Sequence, residues 1–234
     1  MKGYTRLDDY RYERKYVAVG HEADQVEWAL RRNTALFRPK FSGRQINNIY
    51  LDTPGLNCFH DNLFGNGSRW KVRIRWYGET LGEIKQPILE YKLKKGLVGT
   101  KRSWMLASFT MDENFDFNTL LDLIDRSDLD DEQVSDLKSL RPVLLNSYSR
   151  KYFVSFDGKL RATIDRNLKY YQLKSSWNSL FHPYEEKCKS VLELKYNKNN
   201  DELARDVSEQ FPYRLDKNSK YATGMQYFNQ GIAE

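Results

Sequence analysis

Residues 68–78 read Ser-Arg-Trp-Lys-Val-Arg-Ile-Arg-Trp-Tyr-Gly, and the alternation within them decides how the chain is read. Taken with a period of two, Arg69, Lys71, Arg73 and Arg75 share one face, and Trp70, Val72, Ile74 and Trp76 share the other. Alternation rich in β-branched and aromatic residues marks a strand. Neighbours at i and i+2 on one strand face stand ~7 Å apart. Four cations in such a row repel one another unless water, acids or an anion lie between them. For this strand alone, a solvated face accounts for the pattern.

The pattern recurs. Arg11, Glu13 and Lys15 share a face opposite Tyr12 and Tyr16. Glu90, Lys92 and Lys94 alternate with Leu89, Tyr91 and Leu93, and Arg161, Thr163 and Asp165 alternate with Ala162 and Ile164. Glu193 and Lys195 alternate with Leu192 and Leu194, and Arg150 lies in the strand-like run from Asn146 to Val154. Several strands thus carry an apolar face and a face of long charged side chains, cations outnumbering acids. Either these faces all point to water, or they converge inside a barrel whose apolar outside is covered by helices. Spacing alone leaves the two arrangements even.

A chain of 234 residues is long enough for one large domain with a real core, and residues 1–234 are read as one domain. The net charge of +6 favours anionic partners such as nucleic acid, phosphates or an acidic surface. The 32 acids are mixed among the 38 cations, without the one-sided patch of a nucleic-acid binder, so no specific nucleic-acid partner is expected. Cys58 and Cys188 have no CxxC spacing, which speaks against a zinc site and for a reduced, cytoplasmic protein. Residues 1–10 are too polar for a signal peptide, and no apolar run is long enough to span a bilayer. There is no GxxxxGK[ST] loop, GxSxG elbow or HExxH pair. The three scattered histidines receive no role.

Strands are expected over Arg11–Val19, Gln45–Leu51, the Arg69 stretch, Ile88–Lys95, Lys101–Leu106, Arg141–Phe156, Leu160–Asp165 and Ser190–Tyr196. Glu79–Gln86 reads as a polar hairpin loop, and Asn167–Pro183 as a long polar and aromatic link with room for a strand. Helices are expected over Glu22–Arg32, after a Thr53 cap, over Asp201–Phe211 and over Asn218–Gln230. The acidic segment Asp112–Leu140 reads as two short amphipathic helices that cover an outer wall of the sheet.

Arginine cannot neutralise itself by losing a proton, and its planar fork matches phosphate oxygens. A closed pocket lined by such residues suits a polyanion. Glu13, Glu90, Asp165 and Glu193 face the same way. Their hard oxygens suit Mg²⁺ or Mn²⁺, although a counter-ion role is the commoner one for any single acid. Glu193 ranks first as a ligand and Glu13 second. In Lys217-Asn218-Ser219-Lys220-Tyr221, Ser219 is placed to cap a helix, leaving backbone N–H groups and two lysines for an anion. An ordinary basic cap reads the same way.

The ordered set of motifs resembles the VTC domain, the polyphosphate polymerase domain of the vacuolar transporter chaperone complex and its bacterial relatives. The set runs Tyr12-Glu13-Arg14-Lys15-Tyr16, Asn48-Ile49-Tyr50-Leu51-Asp52-Thr53-Pro54, Lys71 to Gly78, and Leu89-Glu90-Tyr91-Lys92. It continues through Tyr148-Ser149-Arg150, Arg161 to Asp165, Leu192-Glu193-Leu194-Lys195 and Lys217 to Tyr221. That family belongs to the triphosphate tunnel metalloenzymes. The resemblance implies an α+β fold: a closed antiparallel β-barrel of about eight strands, with charged side chains inside and helices packed outside.

It also implies transfer of the γ-phosphate of ATP onto a growing polyphosphate chain, with Mn²⁺ or Mg²⁺ as cofactor. By motif position Arg73, Arg75, Lys92 and Arg150 match the phosphate-binding cations, and Glu193 matches the metal ligand. Lys217, Ser219 and Lys220 match a terminal phosphate clamp, and Lys15 matches the lysine of the first strand. The expected catalytic set is Arg73, Arg75, Lys92, Arg150 and Lys220. Lys15, Arg69, Lys71, Lys94, Arg161, Lys195, Lys217 and Ser219 are expected to line the phosphate path, with Glu193 and Glu13 on the metal. Eukaryotic members carry a phosphate-sensing domain and a membrane anchor; neither is expected here. The same tunnel serves triphosphatases, so metal-dependent hydrolysis is the alternative reaction. A non-catalytic module that holds polyphosphate or RNA is the alternative of another class.

Overall fold

The computed structural model describes residues 11–21, 23–96, 98–174, 178 and 180–230. Residues 1–10, read above as too polar for a signal peptide, lie outside the described residues, as does Glu22 of the first expected helix. The strands are β1 (Arg11–Val19), β2 (Arg38–Asp52), β3 (Ser68–Tyr77), β4 (Gly82–Ile84), β5 (Ile88–Lys95) and β6 (Val98–Met105). There follow β7 (Phe109–Met111), β8 (Arg141–Val154), β9 (Leu160–Gln172), β10 (Tyr184–Glu186), β11 (Lys189–Asn197) and β12 (Arg214–Leu215). The helices are α1 (Ala23–Arg31), α2 (Asn57–Leu63), α3 (Phe117–Asp125), α4 (Asp131–Lys138), α5 (Asp201–Glu209) and α6 (Lys220–Gln230). None of them is long and apolar enough to cross a membrane.

The fold is α+β around one large antiparallel sheet. Pairing runs from β8 through β2, β3, β5, β6, β1 and β11 to β9, and β9 pairs again with β8. Among the described residues the thinnest seam joins β1 to β6, where Arg11 opposite Gly99 is the one paired position. Farther along β1, Tyr16 and Val17 pair with β12 instead.

Opposed residues in an antiparallel pair project to the same face, so register carries the charged face from strand to strand. Arg73 lies opposite Glu90, Lys15 opposite Glu193, Lys195 opposite Arg161, and Arg150 opposite Asp165. Two apolar layers cover the other face. Val72, Ile74, Trp76, Leu89 and Ile49 pack under Leu120, Leu123 and Ile124 of α3 and Leu137 of α4. Tyr16, Ile164, Leu192 and Leu194 pack under Val26 and Leu30 of α1 and Ala204 and Val207 of α5. The acidic insertion therefore does cover an outer wall. Asp116 and Asp130 start its two helices with reciprocal capping bonds to Thr119 and Gln133.

A third apolar cluster lies on the charged face itself. Cys58 and Phe59 of α2 and Tyr221 and Met225 of α6 pack against Ile46, Tyr50, Leu144, Tyr148, Leu168 and Tyr170. Strand β9 presents both kinds of residue because of a bulge. Asn167 adopts φ 55°, and the register against β8 shifts between Ser147 and Ser149. The extra residue switches parity, so Leu168 and Tyr170 take the face that Thr163 and Asp165 hold before it.

This bulge also explains why β9 continues to Gln172, well past the expected end at Asp165: alternation breaks there but pairing does not. Strand β2 begins at Arg38, seven residues ahead of the expected start, because Arg-Pro-Lys-Phe-Ser-Gly-Arg lacks alternation and pairs with β8 through two register shifts. The loop expected over Glu79–Gln86 contains β4, which pairs with β7. The α2 terminus is capped by two residues rather than one. Thr53 Oγ1 accepts from Asn57 N–H at 3.0 Å, while the Asp52 carboxylate accepts from Cys58 N–H at 3.0 Å and Phe59 N–H at 2.9 Å. The Tyr221 hydroxyl donates to the same carboxylate and ties α6 to α2.

Helix α6 approaches the sheet closely at Gly224. A Cβ there would stand 2.7 Å from Leu144 Cδ2 and 2.7 Å from Tyr170 Cδ1, both in fully buried side chains. Gly224→Ala gains helix propensity of ~1 kcal/mol but overpacks this contact by about 1–3 kcal/mol. A net loss of stability is expected in urea unfolding, and a gain would contradict the close approach.

Candidate active site

The charged face gathers around two carboxylate centres. At the first, Arg73 Nε donates to Glu90 Oε2 at 2.7 Å, Lys101 Nζ to Glu90 Oε1 at 2.7 Å, and Arg75 Nη1 lies 3.6 Å from the same carboxylate. Burial alone pushes the Glu90 carboxyl up, but Arg73, Arg75 and Lys101 hold it well below the usual range. Arg75 is aimed by Asn48, whose Oδ1 accepts from its Nε at 2.9 Å while Asn48 Nδ2 donates to Asn146 Oδ1 at 2.8 Å.

At the second centre, Arg150 Nε and Nη2 donate to the two oxygens of Asp165 at 2.5 and 2.6 Å, and Nη2 also to Glu193 Oε2 at 3.1 Å. Lys220, the first residue of α6, places Nζ 2.5 Å from Asp165 Oδ2 and 3.8 Å from Glu193 Oε1. Lys195 Nζ lies 3.1 Å from Glu193 Oε2. Burial alone pushes Glu193 up; Lys195, Lys15, Arg150 and Lys220 together hold it well below the usual range.

Glu13 bridges toward the first centre, with Lys15 Nζ at 2.9 Å from Oε1 and Lys92 Nζ at 3.5 Å from Oε2. Lys15 also lies 3.3 Å from Glu193 Oε1 and donates to the Asn218 carbonyl at 3.0 Å. The loop before α6 enters the same face. Ser219 Oγ accepts from Lys71 Nζ at 2.7 Å and from Ala222 N–H at 3.3 Å.

Cations outnumber carboxylates here: against burial, Glu13, Glu193 and Asp165 raise the pKa values of Lys15 and Lys220, but three other lysines are lowered. Glu13 is the strongest single influence on Lys92 and raises its pKa. Desolvation and repulsion from Lys15, Lys195 and Arg73 outweigh it and bring Lys92 down to about 8. Lys71 is pushed well below the ordinary lysine value by burial and by Lys15, Lys92, Arg69 and Arg73. Among the described residues no carboxylate lies within 4.0 Å of it. Lys94 is lowered by burial and by Arg69, Lys15 and Lys217, which sets these cations near one another. Arg161 joins the same face opposite Lys195. Lys217 is exposed, and its backbone N–H donates to Asp216 Oδ1.

The structure thus brings together Lys15, Lys71, Arg73, Arg75, Lys92, Arg150, Lys195, Ser219 and Lys220 with Glu13 and Glu193, and leaves Arg69, Lys94 and Lys217 on the flank. Sequence reading passed over Lys101, Asn48, Asn146 and Tyr148. Lys101 sits opposite Lys92 once the β5–β6 hairpin register is set. Stepping back by twos from Arg150 yields Tyr148 and Asn146.

The fold is mixed, and its strands gather arginines, lysines and a few carboxylates on one face, an arrangement chemically suited to an anion. The family profile of the VTC domain matches residues 10–229, and the chain belongs to that family. Among solved structures it is similar to the PH1819 protein of Pyrococcus horikoshii, at 14% identity and TM-score 0.51 over 93% of this chain and 99% of that one. It is also similar to the Hippeastrum protein HpAC1, a candidate adenylyl cyclase with a dominant triphosphatase activity. There the identity is 12% and the TM-score 0.47, over 93% and 95% of the two chains. A candidate adenylate cyclase of Vibrio parahaemolyticus matches at 13% identity and TM-score 0.49 over 90% and 94%. No curated protein matches the chain by sequence.

The family resemblance implies a divalent metal. Among the described residues no three His, Cys, Asp or Glu side chains form a ready cage. Glu13 and Glu193 nonetheless fit a hard cation, because their Oε1 atoms already converge on one positive charge, Lys15 Nζ. Magnesium-type sites commonly use one or two carboxylates and take their remaining oxygens from phosphates and water.

Proposed function

We propose that the eight strands from β8 round to β9 form a closed tunnel, and that the tunnel is a polyphosphate polymerase site. It takes ATP as donor and the end of a polyphosphate chain as acceptor. The observation that carries this reading is the lopsided charge of one sheet face, where Glu13, Glu90, Asp165 and Glu193 are too few for the cations around them. A linear chain of phosphates supplies the missing negative charge along the whole row.

In this reading Arg73, Arg75, Arg150, Lys92 and Lys220 grip phosphate oxygens and stabilise charge as it spreads over the transferring group. The terminal oxygen of the acceptor attacks the γ-phosphorus, the bond to the β-bridging oxygen breaks, and ADP leaves. No protein nucleophile is needed; the residues position the two phosphates in line. Lys15, Arg69, Lys71, Lys94, Arg161, Lys195, Lys217 and Ser219 hold the rest of the chain. Glu193 and Glu13 would hold Mn²⁺ or Mg²⁺, which would offset the negative charge of the phosphates.

Purified protein with ATP and Mn²⁺ is expected to yield ADP and long phosphate polymers on a sizing gel. Release of inorganic phosphate alone would assign the tunnel to hydrolysis, and binding without turnover would make it a holding module.

A pH dependence follows from Lys92. Its folded value of about 8 lies below the ordinary lysine value of 10.5, so between these limits the unfolded chain binds more protons and stability rises with pH. Bound phosphate reverses the shift by pairing the ammonium. Binding of inorganic triphosphate is therefore expected to take up a proton above pH 8 and to weaken as pH climbs through that window. Calorimetry in two buffers of different ionisation heat reads the proton directly; no uptake would contradict the assignment.

A further inference from the structure

We infer that a rim of aromatic rings and one arginine, formed by Phe41, Arg44, Tyr77 and Tyr152, holds the nucleobase of the triphosphate donor. The inference rests on the tunnel reading above and adds a separate subsite to it.

The four residues lie on the charged face. Arg44 is directly opposite Arg150, and Phe41 is opposite Tyr152, two residues beyond Arg150 on β8. Tyr77 stands two residues beyond Arg75 on β3. One such step along a strand face is ~7 Å, so the rim begins one step out from two of the proposed phosphate-gripping arginines. The rings are arranged as a surface. Phe41 meets Tyr152 edge to face at 5.9 Å, and the Arg44 guanidinium lies 5.9 Å from the Phe41 ring and 5.5 Å from the Tyr77 ring. Among the described residues Arg44 has no carboxylate within 4.0 Å.

Large apolar rings that face solvent need a reason. Phe41 is 53% exposed and Tyr77 45% exposed, and both lie on the face that carries the cation row. Besides Arg44, Lys40 Nζ lies 5.4 Å from the Phe41 ring, so the rim is cationic as well as aromatic. A nucleoside triphosphate is an anion at one end and a flat π-surface at the other. The cation row takes the first, and the rim lying in line with it offers ring faces and a planar guanidinium to the second. Inorganic polyphosphate has no such end, so the rim separates donor from acceptor: it gives ATP a contact that the growing chain lacks. Base–aromatic stacking contributes about 1–3 kcal/mol per base, enough to set donor affinity without touching the reacting atoms.

The test compares two probes on one protein by calorimetry: the non-hydrolysable β,γ-methylene analogue of ATP, and inorganic tripolyphosphate. Replacing both Phe41 and Tyr77 by leucine keeps apolar bulk and removes the ring faces. The analogue is expected to bind the double variant about tenfold more weakly, equivalent to ~1.4 kcal/mol, while tripolyphosphate binding changes by less than about twofold. Arg44→Lys, which keeps the charge and loses the plane, is expected to shift the same way by a smaller factor. Equal weakening of both probes, or no change in either, overturns the base subsite while leaving the phosphate site standing. A wild-type protein that binds neither probe overturns the tunnel reading, and this inference falls with it.

Discussion

Arg150→Leu is expected to cost about 3–5 kcal/mol of stability, the usual loss when one member of a buried ion pair is removed. The side chain is 8% exposed and donates to both oxygens of Asp165 and to Glu193. Leucine leaves Asp165 with Lys220 alone, and Glu193 with Lys15, Lys195 and Lys220. Three elements lose their common knot, since Arg150 belongs to β8, Asp165 to β9 and Glu193 to β11. The second replacement, Asp165→Leu, should therefore restore part of what the first removes, because it takes away the stranded charge. In urea unfolding the double variant is expected to lose less than the sum of the two single variants. A loss below about 1 kcal/mol for Arg150→Leu would mean that the knot is not what binds β8, β9 and β11.

Arg73→Ala is expected to lower turnover by about 100- to 1000-fold, the range seen when one preorganised donor to a transition-state oxygen is deleted. Its effect on the fold should be smaller than that of Arg150→Leu. Glu90 keeps Lys101 at 2.7 Å and Arg75 at 3.6 Å after Arg73 is gone. The contrast between the two arginines is the informative part. Both lie on the charged face, but one is shared by two carboxylates across three strands, and the other is one of three cations on a single carboxylate. Melting temperature and steady-state turnover, measured on the same preparations, separate the two. An Arg73→Ala enzyme with turnover within threefold of wild type would remove that side chain from the reaction.

Much of this site was legible in the chain before any coordinates, and the reason is strand periodicity. Once Arg69 to Arg75 is read as alternating, the face of every other residue in β3 is fixed, and the same holds for Glu90 to Lys94 and Glu193 to Lys195. What alternation cannot state is which strand lies beside which. Lys101 needed the β5–β6 register to be seen opposite Lys92, and Asn48 needed the β2–β3 register to be seen opposite Arg75. Bulges hid more. Leu168 and Tyr170 look like the continuation of an outward apolar row until Asn167 switches their parity, and only then do they meet Tyr221 and Met225 of α6. The expectation that apolar side chains lie on the outer face alone is corrected there: part of the charged face is greasy, and α2 and α6 fill it.

Ion pairs cross the charged face between elements distant in the chain. Glu13 of β1 reaches Lys92 of β5, and Lys220 of α6 reaches Asp165 of β9. These contacts also show where the repulsion in the row is left unrelieved. The Lys71 pKa is lowered by burial and by the cations around it, and despite the Glu13 carboxylate the Lys92 pKa is lowered by burial and neighbouring cations.

The most direct test of the central claim is titration of inorganic tripolyphosphate into the protein, followed by calorimetry and by thermal melting. The proposed enclosure of the cationic row predicts one saturable site per chain. Stability should rise by about 2.7 kcal/mol at a hundred times Kd, and both effects should be lost in the Arg73→Ala/Arg75→Ala variant. Failure to bind, or equal binding by that variant, would show that the row is a solvated face and not a phosphate path.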